Sequence, residues 1–177
     1  MRYSILILIS CFVFSSVKIF SQSSPPDIDG WNKAKWGMSE KQIDSLFGGN
    51  LKKVTLQYKS KSAQTVHLTG SPMMIFNYEF IPTFIFDSTG HLTAINLHAS
   101  NESSVAVQDI FNLVKNELIR KYGVPSSSSK SFYNSKSLNW IFKSGNIVLN
   151  LMGTPDRSIA WLDVRYQIAD KKLDDKL

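Results

Sequence analysis

A single cysteine, Cys11, stands in the whole chain, inside the apolar stretch at its start, and everything after it is free of thiols. No disulfide, thiolate zinc site or cysteine nucleophile can form downstream of that stretch. Long apolar runs are missing as well. The run that begins at Ile5 and reaches Phe14 fades at Ser15 and Ser16 and is closed by Lys18, well short of the about 20 residues that a helix needs to span a bilayer. Charge of one sign is not in great excess: 20 basic residues face 14 acids, with no dense basic stripe, which argues against a nucleic-acid partner. No Gly-x-Ser-x-Gly elbow, His-Glu-x-x-His helix or phosphate-binding glycine loop occurs. His67, His91 and His98 stand singly, with no second His or Asp at ligand spacing, and read as surface or satisfied imidazoles. The expectation is a protein without metal, cofactor or enzymatic activity.

What is present begins with location. Arg2 ahead of a short apolar segment, followed by Ser21 and the polar stretch from Gln22 to Asp29 with Pro25-Pro26, has the layout of an export signal cut after Ser21. Residues 1–21 are then a signal peptide and the product is periplasmic or extracellular. Leu8-Ile9-Ser10-Cys11 also fits a lipobox, giving the alternative of a lipoprotein anchored at Cys11. Two features count against it. The apolar run ahead of Cys11 is very short, and the product would begin with the greasy Cys-Phe-Val-Phe. After the cut, 18 basic residues remain against 14 acids, a net charge of about +4 on about 156 residues, a length that suits one compact domain or two small repeats sharing a core.

Residues 22–30 read as a flexible linker, because two prolines and no apolar periodicity deny them regular structure. Ser39 with Gln42 forms a capping box at the start of a short helix, with Met38 placed to staple onto Ile43 and Gly48-Gly49 to end it; Ile43, Leu46 and Phe47 make its apolar stripe. Alternation predicts strands at 54–58 and 66–68 and from Met73 to Phe80, with Pro82 interrupting the last or marking an edge. Thr83–Phe86 and Leu92–Ala99 form a hairpin across Asp87-Ser88-Thr89-Gly90. Val107, Ile110, Phe111, Val114, Leu118 and Tyr122 recur at helical spacing in a long helix, Val105–Tyr122, stopped by Gly123 and Pro125. Ser126–Ser129 reads as a tolerant surface loop, and strands follow at 138–142, 146–152 and 158–166. The fold class is α+β: an antiparallel sheet with one short and one long helix on one face. The span 31–168 is a single domain and 169–177 a charged tail. Leu46-Phe47-Gly48 and Lys121-Tyr122-Gly123 each end a helix that feeds a meander, which admits a degenerate tandem repeat, 31–99 and 105–166.

Trp36-Gly37-Met38-Ser39 through Gln42-Ile43 to Phe47-Gly48, followed by Phe86-Asp87 to Gly90-His91-Leu92, resembles the SmpA/OmlA-type envelope lipoproteins, which carry a similar Gly-Met-Thr/Ser helix start. The β-lactamase inhibitor protein is similar in having two helix-plus-sheet repeats. The resemblance covers 31–99 well and 105–166 in outline, and it implies a protein-binding module of the cell envelope. The Trp-Gly-Met-Ser start also looks like that of small exported bacterial proteins, and Phe20-Ser21-Gln22 resembles leaders common in Bacteroidota.

The last strand offers the candidate site. Ala160, Leu162, Val164 and Tyr166 share one face and Ile159, Trp161 and Arg165 the other, so either a second layer covers that face or Trp161 is exposed beside Arg165, a composition typical of binding hot spots. Lys52, Lys53, Lys59 and Lys61 cluster without an acid between them and either keep an edge soluble or meet an anionic membrane surface. Two alternatives to protein binding remain open: an apolar small-molecule or lipid carrier lined by Met73, Met74, Phe76, Tyr78, Phe80, Phe84 and Phe86, and a hydrolase using Glu79 with Asp163 as a carboxylate pair.

Overall fold

The computed structural model describes residues 26–54, 66–101, 104–131, 135–154 and 160–169. In chain order the elements are β1 Gly30–Trp31, β2 Ala34–Lys35, α1 Glu40–Leu46, β3 Lys52–Lys53, β4 Val66–Thr69, β5 Met73–Ile75, β6 Tyr78–Phe86, β7 Leu92–Asn101, α2 Ser104–Tyr122, β8 Ser127–Lys130, β9 Lys136–Ile141, β10 Gly145–Gly153 and β11 Ala160–Ile168. The fold is α+β. The main sheet runs β3-β4-β6-β7-β11-β10-β9-β8, with β5 hung on β6, and every pairing is antiparallel. The order is symmetric about its centre: α1 precedes the meander that ends in β7, α2 precedes the one that ends in β11, and these two final strands pair.

Both helices cover one face. The predicted stripe of α2 is buried as a whole, from Val107 through Ile110, Phe111, Val114 and Leu118 to Tyr122, against Leu97 and Ala99 of β7, Leu149 and Leu151 of β10 and Leu162 and Val164 of β11. Gly123, at φ +81, ends the helix in the left-handed conformation, which glycine adopts without a side-chain penalty. Its carbonyl accepts the indole N–H of the buried Trp140 at 2.8 Å, so the largest core side chain keeps its polar atom paired. The capping box of α1 forms as read: Gln42 Oε1 accepts from the Ser39 amide at 2.9 Å, and Ser39 Oγ accepts from the Gln42 amide. Of the α1 stripe, Ile43 is fully buried and Phe47 packs on Phe84, with ring centroids 4.7 Å apart, whereas Leu46 is exposed.

Several expectations are corrected. The described part of the segment read as a linker is packed: Ile28 is 3% exposed, and Asp27 accepts from the Ser144 hydroxyl at 2.6 Å and from its amide at 3.0 Å. Met73–Phe80 is not one strand. The chain reverses at Phe76-Asn77, both at positive φ (53° and 63°), so Met73 pairs Phe80 and Ile75 pairs Tyr78. Pro82 neither breaks β6 nor lies on an outer strand; its carbonyl faces Gly70, just past the end of β4, where a missing N–H costs no ladder bond. The serine run is also not a loop. Ser127–Lys130 is the outermost strand, paired with Lys136–Asn139. The strand read at 54–58 falls on residues mostly outside those described, as do Lys59 and Lys61; Lys52 and Lys53 form the short strand β3.

Candidate functional site

The face of the sheet turned away from the helices carries the residues of opposite parity: Ile81 on β6, Asn96 and His98 on β7, Trp161, Asp163 and Arg165 on β11, Val148, Asn150 and Met152 on β10, and Asn139 on β9. Antiparallel sheets commonly leave one face to solvent. Here the surface is half-polar and partly exposed rather than a second core, although toward β4 the face closes, with Ile85 and Ala94 buried.

Register assembles its centre. Asp163 lies opposite His98 on one side and Asn150 on the other. His98 Nδ1 is 2.9 Å from Asp163 Oδ1, and the same oxygen accepts from Asn96 Nδ2 at 3.0 Å. The hydrogen bond that His98 donates to the Asp163 carboxylate raises the His98 pKa above its ordinary 6.5, against the smaller opposing effect of partial burial. In the neutral ring, Nδ1–H donating to the carboxylate is the tautomer this geometry selects, which leaves Nε2 to accept a proton or a hydrogen bond. The histidine expected to stand alone therefore has a partner. His91 does too, through the Thr89 hydroxyl at 2.8 Å in the hairpin turn organised by Asp87. The pairing considered between Glu79 and Asp163 does not form. Asp163 and Ile81 are two strands apart with His98 between them, about 10 Å, and Glu79 is two residues further along β6, about 7 Å more.

Trp161 sits one pair along from this centre. Its indole N–H reaches Met152 Sδ at 3.1 Å, across the β10–β11 ladder, and the half-buried ring and the Met152 side chain, 41% exposed, form one apolar patch. Arg165 is exposed on the other flank of Asp163, with Nε donating to Gln167 Oε1 at 2.8 Å. Burial, and then the Arg165 charge, lower the His67 pKa. The residues named from strand alternation, Trp161 and Arg165, are thus on one open face; Ile159 lies outside the described residues. Lys53 reaches Glu40 Oε2 at 3.5 Å, and Lys52 is exposed beside it.

The aromatic and methionine set read as a possible pocket lining is divided. Phe84 and Phe86 are fully buried core, Met74 is exposed, and Phe76 and Phe80 line a cavity on the helix side. Among the described residues no group of three or more His, Cys, Asp or Glu is placed to hold a metal ion, and no helix is long and apolar enough to cross a membrane.

No family model, no curated protein and no solved structure matches this chain.

Proposed function

We propose that the protein is an exported, non-enzymatic module of the cell envelope that binds another protein through the open face of its sheet. The observation that carries this reading is the face around Trp161: tryptophan in contact with methionine, and arginine four residues along the same strand, three residue types enriched in interfaces, on a face that neither described helix covers. The Asp163–His98–Asn96 cluster supplies oriented polar groups beside it, which suits specificity more than affinity. The likeness of Trp36–Ser39 and Phe86–Leu92 to SmpA/OmlA-type proteins belongs to the same reading, and so does the leader, with cleavage after Ser21. Lys52 and Lys53 would give a secondary contact with an anionic membrane surface.

Truncating Trp161 to Ala is expected to weaken the complex by about 2 kcal/mol or more and to leave the thermal unfolding midpoint near that of the parent chain. Equal affinity of the two forms for the partner would remove this site. Amino-terminal sequencing of the exported product is expected to begin at Gln22; recovery of Met1, or of lipidated Cys11 in a detergent phase, would contradict the proposed route.

A further inference from the structure

Behind the sheet, on the helix side, the core is open at one end. A cavity of about 190 Å³ lies between the last turns of α2 and the tip of the β5–β6 hairpin, walled by Trp31, Phe76, Phe80, Val114, Leu118 and Val164. It continues into a wider groove of about 520 Å³ between the 26–32 segment and the end of α2. Trp31, Ile75, Lys121, Tyr122 and Tyr166 border both. The cavity is mostly apolar, with Glu117 and Lys121 as its charged lining residues, and the groove is more polar, with the two tyrosines at the junction.

These tyrosines are the unusual feature. Tyr122 and Tyr166 are 9% and 8% exposed, and neither hydroxyl has a hydrogen-bond partner among the described residues. Both hydroxyls open to solvent at the cavity mouth, since among the described residues the buried side-chain polar atom left unpaired is Trp36 Nε1. They lie close enough that the Tyr122 hydroxyl, after burial, adds to the upward push on the Tyr166 pKa. Two neutral donors at the mouth of an apolar cavity are suited to a shared acceptor. Lys121 Nζ stands 5.0 Å from the Tyr122 ring centroid and has no carboxylate within ion-pair distance among the described residues, while nearby Glu117 is taken by Arg120. Asp27 and Asp29 stand on the groove's far wall, the first bonded to Ser144 and the second to Lys35 at 2.6 Å. Positive charge at the junction and negative charge beyond it favour one small anionic group and disfavour a polyanionic head.

Size limits the rest of the ligand. An apolar protein cavity of about 150 Å³ takes a benzene ring, so the 190 Å³ of this cleft matches one ring or a short alkyl chain. Phe76 forms part of the wall from a left-handed backbone position, φ 53°, where Asn or Gly would be less strained. We propose that this cleft binds a small hydrophobic monocarboxylic acid, with its tail between Phe76 and Leu118 and its carboxylate on the hydroxyls of Tyr122 and Tyr166 and the ammonium of Lys121. The site lies on the opposite side of the sheet from Trp161 and does not depend on the protein-binding reading.

The test uses the full folded chain and three probes, 3-phenylpropionate, octanoate and the uncharged 3-phenylpropanol, followed by calorimetry and amide chemical shifts. Saturable one-to-one binding of the two acids is expected, with shifts at Trp31, Phe76 and Leu118 and an affinity at least tenfold above that of the alcohol. The Tyr122→Phe/Tyr166→Phe double variant keeps both rings, and with an unchanged unfolding midpoint it should bind the acids at least tenfold more weakly; Lys121→Gln should do the same for the acids and leave the alcohol unaffected. Absence of saturable binding by either acid overturns the proposal, as do affinities unchanged by both variants or a preference for palmitate over octanoate.

Discussion

Asp163 shows how much one residue's surroundings decide on this sheet. Its carboxylate holds His98 at 2.9 Å and Asn96 at 3.0 Å, and the consequence is a testable pH dependence. Because the folded pKa of His98 is raised by that hydrogen bond, the pair contributes stability that is fully present below about pH 6.5, the unfolded value, and is lost as pH rises through the folded pKa. Side-chain exposures of 39% and 22% mean that solvent screens much of it. A proton NMR titration of the His98 ring should therefore give a midpoint above 6.5, falling to that value or below in Asp163→Asn. A His98 midpoint that is the same in both proteins would dissolve the pairing. None of this was readable from spacing along the chain, since the two residues are 65 positions apart and meet only through the β7–β11 register. The alternation that puts Trp161 and Arg165 on one face was readable, because strand parity is a local property.

At the scale of elements, local chemistry was legible and non-local pairing was not. The α2 stripe, the Ser39–Gln42 box and the Asp87–Gly90 turn are each specified within a few residues, and each forms as read. Replacing Phe111, 3% exposed in the middle of that stripe, with Ala should cost about 3–5 kcal/mol in urea unfolding; a loss below ~1 kcal/mol would put this side of the helix in solvent. The serine strand β8 was missed because Ser has no strand preference of its own, and the outermost position is imposed by β9. The turn at Phe76-Asn77 was missed because the alternation from Met73 to Phe80 continues straight through it, and an aromatic occupies a position where a glycine would have marked the reversal. Ile28 was missed for a related reason: one apolar residue among Pro and Asp shows no period, yet it reaches the core beside Gly145, where an added Cβ would stand 3.1 Å from its Cδ1.

On the scale of the whole molecule, the two parts of the motif set, Trp36–Ser39 and Phe86–Leu92, turn out to touch. Gly37 and Met38 exchange backbone hydrogen bonds with Leu92 at 3.0 and 2.9 Å, and Ser39 bridges His91. Gly37 takes φ +80 to bring the chain from this clasp to the helix cap. The motif is therefore a structural device that seats α1 on the start of β7 and so helps to cover one side of the sheet. That division of the molecule into a helix-covered face and an open one is the account's central claim. It is tested most directly by photo-crosslinking in the cell that produces the protein, with a benzophenone amino acid placed either at Met152, beside Trp161, or at Leu113, exposed on the outer side of α2. The account predicts a discrete protein adduct from position 152 that disappears when Trp161 is also changed to Ala, and none of the same mass from position 113. The same adduct from both positions, or one at 152 that survives Trp161→Ala, would contradict it.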